Sequence, residues 1–308
     1  MTPTDFLAAL LPARLTPAAS GTAYAPANIA LAKYWGKRDR ALNLPVNGSL
    51  SISRGTLGTH TTIRAAANDR ITLNGTDAAA DSILHRRTFA YIDLWRRGAA
   101  QPLHVESTNT IPTAAGLASS ASGFAALARL GSGSAARSLW HGFVKWECGT
   151  RDDGRDSIAA PIASDWQELR IALVEIDSGA KKTASGDGMN HTTATSPLYA
   201  AWPATAQADL AAIEAAIHAR DFSALGSVAE ANALAMHATM LAARPALCYL
   251  QAQTLTTLHR LWQARAEGLE IYATIDAGPN VKILCRARDE AAVRALFPQA
   301  LWVNPFQS

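Results

Sequence analysis

Residues 112–123 read PTAAGLASSASG, a small-residue loop that runs straight into Ala-rich helical sequence. Gly116, Ser119 and Ser120 leave backbone N–H groups free at the positive end of a helix dipole, and such a point holds phosphate. The spacing is neither G-x-x-x-x-G-K-[ST] nor G-x-G-x-x-G, which disfavours the P-loop and dinucleotide-binding folds. Alone, a turn of this kind reads as a Ser-capped helix start. A second loop changes that reading. LGSGSAARS at 130–138 has two glycines, three serines and Arg137. Its backbone can curl around an anion, and Arg137 can grip a carboxylate or phosphate with two parallel bonds. The immediate return to Ala-rich sequence and Trp140 argues against a linker.

Two further segments carry polar groups that packing does not require. APANIALAKYWGKRD at 25–39 crowds Lys33, Lys37 and Arg38 beside Tyr34, Trp35 and Gly36. It reads as a basic–aromatic loop suited to phosphate, and equally as a surface turn. DAGPN at 276–280 sets the carboxylate of Asp276 at the end of an apolar strand. Alone, it reads as a β-turn. Two anion loops, a basic–aromatic loop and a placed carboxylate together suit phosphoryl transfer, in which cations neutralise phosphate and a carboxylate takes the proton of an attacking hydroxyl.

Composition limits the alternatives. The chain has 308 residues, 49% hydrophobic and 17% charged, enough for one large domain or two modest ones with a buried core. A net charge of +3 and no Lys/Arg run give no reason to expect nucleic acid. Cys148, Cys248 and Cys285 lack metal spacing and read as buried thiols of a reducing compartment. No apolar stretch is long enough to span a membrane and the first residues do not read as a signal peptide, so a cytoplasmic location is expected.

Alternation predicts strands at 49–53, 60–64, 70–73 and 104–107, a turn at Asn74–Gly75, and a helix over 81–97. The apolar contacts of that helix are expected to be Ile83, Leu84, Phe89, Ile92 and Leu94. In the second half, strands are expected at 169–176, 271–275 and 281–285, and helices at 196–202, 207–219, 222–237 and 254–267. Strands at both ends with helices between them predict an α+β second domain. The expected boundary places residues 1–168 in one domain and 169–308 in the other.

With these segments in view, the chain resembles the GHMP kinase superfamily and, within it, the diphosphomevalonate decarboxylases. PTAAGLASSASGFAAL is similar to the family's ATP loop, APANIALAKYWGKRD to its N-terminal substrate segment, and RLGSGSAARSLWHGFVKW to its second substrate loop. SGDGMNHTTATSPLYAAW, EANALAMHATML and IDAGPNVKIL match further motifs in the same order. The resemblance runs from about Ala25 to Cys285.

The resemblance implies a two-domain GHMP kinase-like fold. Its N-terminal β-α domain would carry the ATP phosphate loop, and its C-terminal ferredoxin-like α/β sandwich the catalytic aspartate. It implies ATP-dependent decarboxylation of mevalonate 5-diphosphate, with ATP as co-substrate, Mg²⁺, and a homodimer. Asp276, Lys33 and Arg137 match the catalytic residues, Arg137 on the substrate carboxylate. Asn28, Tyr34, Trp35, Lys37, Ser132, Ser134 and Ser185 match substrate contacts. Pro112, Ala115, Gly116, Leu117, Ala118, Ser119 and Ser120 match the ATP loop; no metal ligand is assigned. Two departures stand out. The chain lacks a helix-and-turn segment between Ala128 and Arg129, and Ala184 replaces the first residue of a Ser-Ser pair. A mevalonate 5-phosphate decarboxylase and a GHMP kinase that stops at phosphorylation remain as alternatives.

Overall fold

A computed structural model describes residues 19–96, 101–110, 135–179 and 181–306. The first half forms a seven-stranded sheet. β1 (Ser20–Ala32) and the long β4 (Ser49–Ala65) are its spine, paired antiparallel over most of their length. The strands expected at 49–53 and 60–64 are thus one element. Its start pairs with β8 (Phe143–Trp146), which pairs in turn with β9 (Ala159–Pro161), and its end pairs with β7 (Leu103–Asn109). Beyond β7 lie β5 (Arg70–Leu73), parallel to it, and β6 (Thr76–Asp77). Asn74 and Gly75 both take positive φ, the geometry of a tight hairpin turn. Two short strands, β2 (Lys37–Asp39) and β3 (Leu44–Pro45), form a separate ribbon.

Helix α1 (Ile83–Arg96) covers β5 and β7 with Phe89, Tyr91 and Ile92. Ile83, expected in that contact, is exposed instead. It opens the helix, before the repeating apolar face engages the sheet.

The second half is a four-stranded antiparallel sheet ordered β11 (Tyr272–Ile275), β12 (Val281–Arg286), β10 (Leu169–Val174), β13 (Leu301–Val303). Its helices are α2 (Ser185–Thr195), α3 (Trp202–Ala219), α4 (Phe222–Leu241), α5 (Ala252–Ala266) and α6 (Glu290–Leu296). α3 starts with Pro203 in its first turn, and α4 is capped by the Asp221 side chain accepting from the Ala224 N–H. One core joins both halves. Ile29, Leu31, Leu50 and Ile52 of the first sheet meet Ile171, Leu284 and Val303 of the second, with Leu210, Ile213, Leu225 and Ala229 of α3 and α4 between them. The molecule is a two-domain α+β protein.

Three sequence expectations change. The helix expected at 196–202 lies at Ser185–Thr195, with only a 3-10 turn at Tyr199–Ala201. The segment 25–32 is buried strand rather than loop. Of the three cysteines, which are all free, only Cys285 is buried; Cys148 is half-buried and Cys248 exposed. Among the described residues, no helix is long and apolar enough to cross a membrane.

Candidate active site

The site lies where the end of β1 meets the turn between β11 and β12. β1 carries Ala25, Ala27, Ile29 and Leu31 inward, and these bring the chain to Lys33 fully buried, 2% exposed. The register with β4 slips between Ala30 and Ala32. Such a bulge re-aims backbone groups. The Ala30 carbonyl accepts from Lys33 Nζ at 2.7 Å and from Thr274 Oγ1 at 3.2 Å. Two buried asparagines fix the Lys33 backbone. Its N–H donates to Asn232 Oδ1 at 2.7 Å, and its carbonyl accepts from Asn47 Nδ2 at 2.8 Å.

Asp276 enters from the other sheet. The turn that bears it is tied down at several points. Asn280 Oδ1 accepts from the Ile176 and Asp177 N–H groups, Thr254 Oγ1 donates to the Pro279 carbonyl, and the Gly278 N–H donates to the Asp276 carbonyl. The ring nitrogen Nε2 of His237, on α4, lies 3.1 Å from that same carbonyl. The Asp276 carboxylate is bracketed: Oδ1 accepts from Lys33 Nζ at 2.7 Å and Oδ2 from Lys282 Nζ at 2.9 Å.

The charge balance of this group defines its chemistry. Lys33, Lys282 and Arg137 are buried to 2%, 1% and 2% exposure around one carboxylate that is itself 24% exposed. Burial of charge is costly unless partners compensate. Burial pushes Asp276 up, yet Lys282 and Lys33 together hold it well below the ordinary carboxylate range. Burial lowers Lys33 to about 8 against the pull of Asp276, with Lys282 and Arg137 adding to the fall. Arg137 falls to about 10 for the same first reason. Lys181, ahead of α2, is lowered by burial, with Asp276 raising it and Lys282 lowering it again. A cluster with this cation excess suits a polyanion.

Arg137 sits in a 3-10 turn over Ala135–Leu139. Its Nη1 donates to Ser49 Oγ of β4, while its Nε has no partner among the described residues. Asn28 Nδ2 donates to Ser138 Oγ of the same turn, so Asn28 braces the Arg137 turn. Tyr34 also has a buried hydroxyl without a partner among the described residues, and its ring stands edge-on to Trp146. Burial raises the Tyr34 pKa, against a lowering pull from Arg137. The orphaned Tyr34 Oη and Arg137 Nε are donors left over for a ligand.

The remaining sequence candidates fall in several places. Trp35 packs in a core cluster with Met189, Trp202, Met236 and Tyr249. Its carbonyl accepts from Trp202 Nε1 and Tyr199 Oη, and its own Nε1 is buried with no partner among the described residues. Gly36 has φ +122, and a Cβ there would lie 1.7 Å from Tyr199 Oη; the glycine serves that packing. Lys37 is half-buried beside Arg87 and Arg40, which follow burial in lowering its pKa. Its cationic neighbours are therefore a different set from those of Asp276. Ser185 opens α2 behind Ala184, which provides no side-chain cap, and its hydroxyl accepts from Lys181 Nζ at 3.1 Å. Pro112, Ala115, Gly116, Leu117, Ala118, Ser119, Ser120, Ser132 and Ser134 lie outside the described residues. Lys282, Lys181, His237, Asn232 and Ser49 were not among the sequence candidates. Three of them lie inside quoted motifs, but spacing gave them no partner.

The donor set fits phosphate oxygens better than a protein-held metal. Among the described residues, no group of three or more His, Cys, Asp and Glu side chains gathers to hold an ion.

Comparisons with known proteins agree with this geometry. Residues 25–129 and 126–159 match the family model of the diphosphomevalonate decarboxylase-like N-terminal domain. Residues 171–305 match the mevalonate 5-diphosphate decarboxylase C-terminal domain. The diphosphomevalonate decarboxylase mvd1 of Aspergillus fumigatus is 37% identical, with 92% of this chain and 81% of that protein covered. The crystal structure of mevalonate diphosphate decarboxylase from Staphylococcus aureus superposes with a TM-score of 0.86 at 36% identity, over 92% of this chain and 95% of that one. A complex of MDDEF with MVAPP, AMPPCP and magnesium gives 0.86 at 37% identity, over 92% and 96%. The N-terminal model matches in two pieces that meet at 126–129. The A. fumigatus alignment runs over 328 residues while taking in 92% of a 308-residue chain. That relative therefore carries residues with no counterpart in this chain, which fits a segment absent after Ala128. The motif order, the shared fold and the two domain matches converge: the chain belongs to the diphosphomevalonate decarboxylase family.

Proposed function

We propose that this chain catalyses ATP-dependent decarboxylation of mevalonate 5-diphosphate to isopentenyl diphosphate, ADP, phosphate and CO₂. The observation that carries the reading is the buried group of Lys33, Lys282 and Arg137 around the single carboxylate of Asp276. A tertiary alcohol leaves poorly until it is phosphorylated. Asp276 accepts a hydrogen bond from the substrate hydroxyl and takes its proton as the bond to the γ-phosphorus of ATP forms. Lys33, whose Nζ already touches Asp276, shields the transferring phosphoryl group. When phosphate leaves, positive charge develops on the tertiary carbon, and the adjoining carboxylate expels CO₂ to leave the double bond. Arg137 holds that carboxylate through its unpartnered Nε edge, braced from behind by Ser49. Preorganised charge of this kind is usually the largest catalytic contribution.

Tyr34, Lys37, Ser132, Ser134 and Ser185 are the proposed contacts to the remaining substrate oxygens. The loop from Pro112 to Ser120 is the proposed cradle for the ATP phosphates. Magnesium bound with ATP supplies further neutralisation of those phosphates. The first sheet ends at Pro161 and the second begins at Leu169, which supports a substrate- and nucleotide-binding domain over 1–168 and an Asp276-bearing domain over 169–308. Family resemblance supports a homodimer in the cytoplasm.

The test is CO₂ release with ATP and, in turn, mevalonate, mevalonate 5-phosphate and mevalonate 5-diphosphate. The diphosphate is expected to win. Losing one or two charge-assisted bonds, each worth ~1.5–3 kcal/mol, lowers kcat/KM by roughly one to three orders of magnitude. Equal or better kcat/KM for the monophosphate would assign that substrate instead.

A further inference from the structure

The Lys282 side chain is 1% exposed, on a central strand of the four-stranded sheet. It stands directly across from Thr274 of β11, itself fully buried, on the sheet face that also carries Leu284 into the shared core. Apolar side chains fill nearly all of that sheet. A fully buried lysine is rarely tolerated without a paired charge. Lys282 Nζ donates to Asp276 Oδ2, the carboxylate oxygen that Lys33 does not occupy.

The two lysines reach Asp276 by different routes. Lys282 lies six residues along the chain from Asp276, on the same hairpin. Lys33 crosses from the other sheet, 243 residues away. The local pair can therefore hold the carboxylate whatever Lys33 does. A polyanionic substrate would draw Lys33 and Arg137 toward itself, and without Lys282 this would leave the Asp276 carboxylate with no ammonium in contact, Lys181 acting on it only from farther off.

We propose that Lys282 is a positioning residue of this family member's reaction: it holds the Asp276 carboxylate in one orientation and keeps it anionic, which frees Lys33 to serve the reacting oxygens. The inference rests on the decarboxylase reading for its consequence in turnover, but not for the charge it assigns to Asp276. The groups facing that carboxylate are Lys33 at the end of β1, Lys282 on β12, Arg137 in its 3-10 turn and Lys181 ahead of α2, with His237 of α4 against the Asp276 carbonyl. Of these, Lys282 and Lys33 make the contacts to the carboxylate oxygens. Removing Lys282 therefore shifts the Asp276 titration upward, toward the ordinary carboxylate range.

The experiment compares wild type with Lys282→Met, Lys282→Gln and Lys282→Arg in the full chain. For Lys282→Met, kcat is expected to fall on the order of 10²-fold, the scale of losing one preorganised donor, with KM for mevalonate 5-diphosphate within about threefold. The acid limb of kcat moves to higher pH. Lys282→Arg keeps the charge and recovers much of the loss. Lys282→Gln keeps a donor without the charge, and it provides the same comparison if the Met variant does not fold. Independently of turnover, carboxyl-¹³C titration of Asp276, assigned by its loss in Asp276→Asn, should move up in the Met or Gln variant. A folded Met or Gln variant with wild-type kcat and an unmoved titration overturns the proposal. Wild-type protein that releases no CO₂ would instead overturn the decarboxylase reading, leaving the titration to judge Lys282 by itself.

Discussion

The two sheets bury different things. On β4 of the first sheet, Ser49, Ser51, Ser53, Thr59 and Thr61 are buried, while Leu50 and Ile52 alternate with the first of them into the core. Four of these hydroxyls are put to use: Ser49 accepts from Arg137, Ser53 from the Gly142 N–H, Thr59 donates to Asn109 Oδ1 and Thr61 pairs with Ser107; Ser51 Oγ has no partner among the described residues. The buried positions of the second sheet are apolar except for Thr274 and Lys282, which face the first. One sheet thus supplies a hydrogen-bonded bed that aims a guanidinium, and the other supplies the paired charges. The chemistry depends on their meeting, since Lys33 belongs to one sheet and Asp276 to the other.

Removing the carboxylate breaks this arrangement most severely. Asp276→Asn is expected to lower kcat by ~10²–10⁴-fold, the usual contribution of a placed proton acceptor. The variant also leaves Lys33 and Lys282 without their shared counter-charge, and breaking a buried pair from one side costs about 3–5 kcal/mol. A lowered melting temperature is therefore expected together with the lost activity. Activity within about threefold of wild type would reject the catalytic role.

Removing the cation held by the hydroxyl bed comes next. Arg137→Gln is expected to lower turnover by about 10²-fold, with little change in ATP affinity, because the guanidinium is placed on the substrate carboxylate. Titration calorimetry with ATP and steady-state kinetics with mevalonate 5-diphosphate measure the two effects separately. Lost ATP binding with normal substrate affinity would reverse the assignment.

The smallest effect concerns the support beneath Asp276. Burial, with Lys33 adding to it, lowers His237 from 6.5 to about 4. Below 6.5 the unfolded chain takes up a proton that the folded protein refuses. Stability present above pH 6.5 is therefore lost as pH falls, and the loss is complete near pH 4, with a total of about 3 kcal/mol. Urea unfolding across this window should show the slope in wild type and a weaker one in His237→Gln. Equal slopes would place the titration elsewhere.

Much of the scaffold was legible where local pattern and tertiary packing agree. The alternation at 49–53, the Asn-Gly turn and the apolar runs flanking Asp276 all fold as their sequence predicts. α2 was not legible, because SGDGMNHTTAT is rich in Gly, Asn and Thr, which are poor helix formers, and its stability comes from packing of Gly188, Met189 and Thr192. The stretch before Lys33 read as a loop because charge and aromatics crowd its end, while the strand itself is decided by pairing with β4. In the site, Lys33, Arg137 and Asp276 could be named because they stand in motifs. Lys282 stands in the same motif as Asp276 but looks like a stray polar position in an apolar run; only the hairpin that folds it back on Asp276 gives it a partner. Trp35 shows the converse, a motif residue whose ring belongs to the core.

The most direct measurement is the stoichiometry of ADP and CO₂ from wild-type protein supplied with ATP, magnesium and mevalonate 5-diphosphate. Equal amounts of the two, with isopentenyl diphosphate as the organic product, are the expected result. ADP formed without CO₂ would mean that Asp276 and its lysines support phosphorylation alone, and would contradict the placement of Arg137 on the substrate carboxylate.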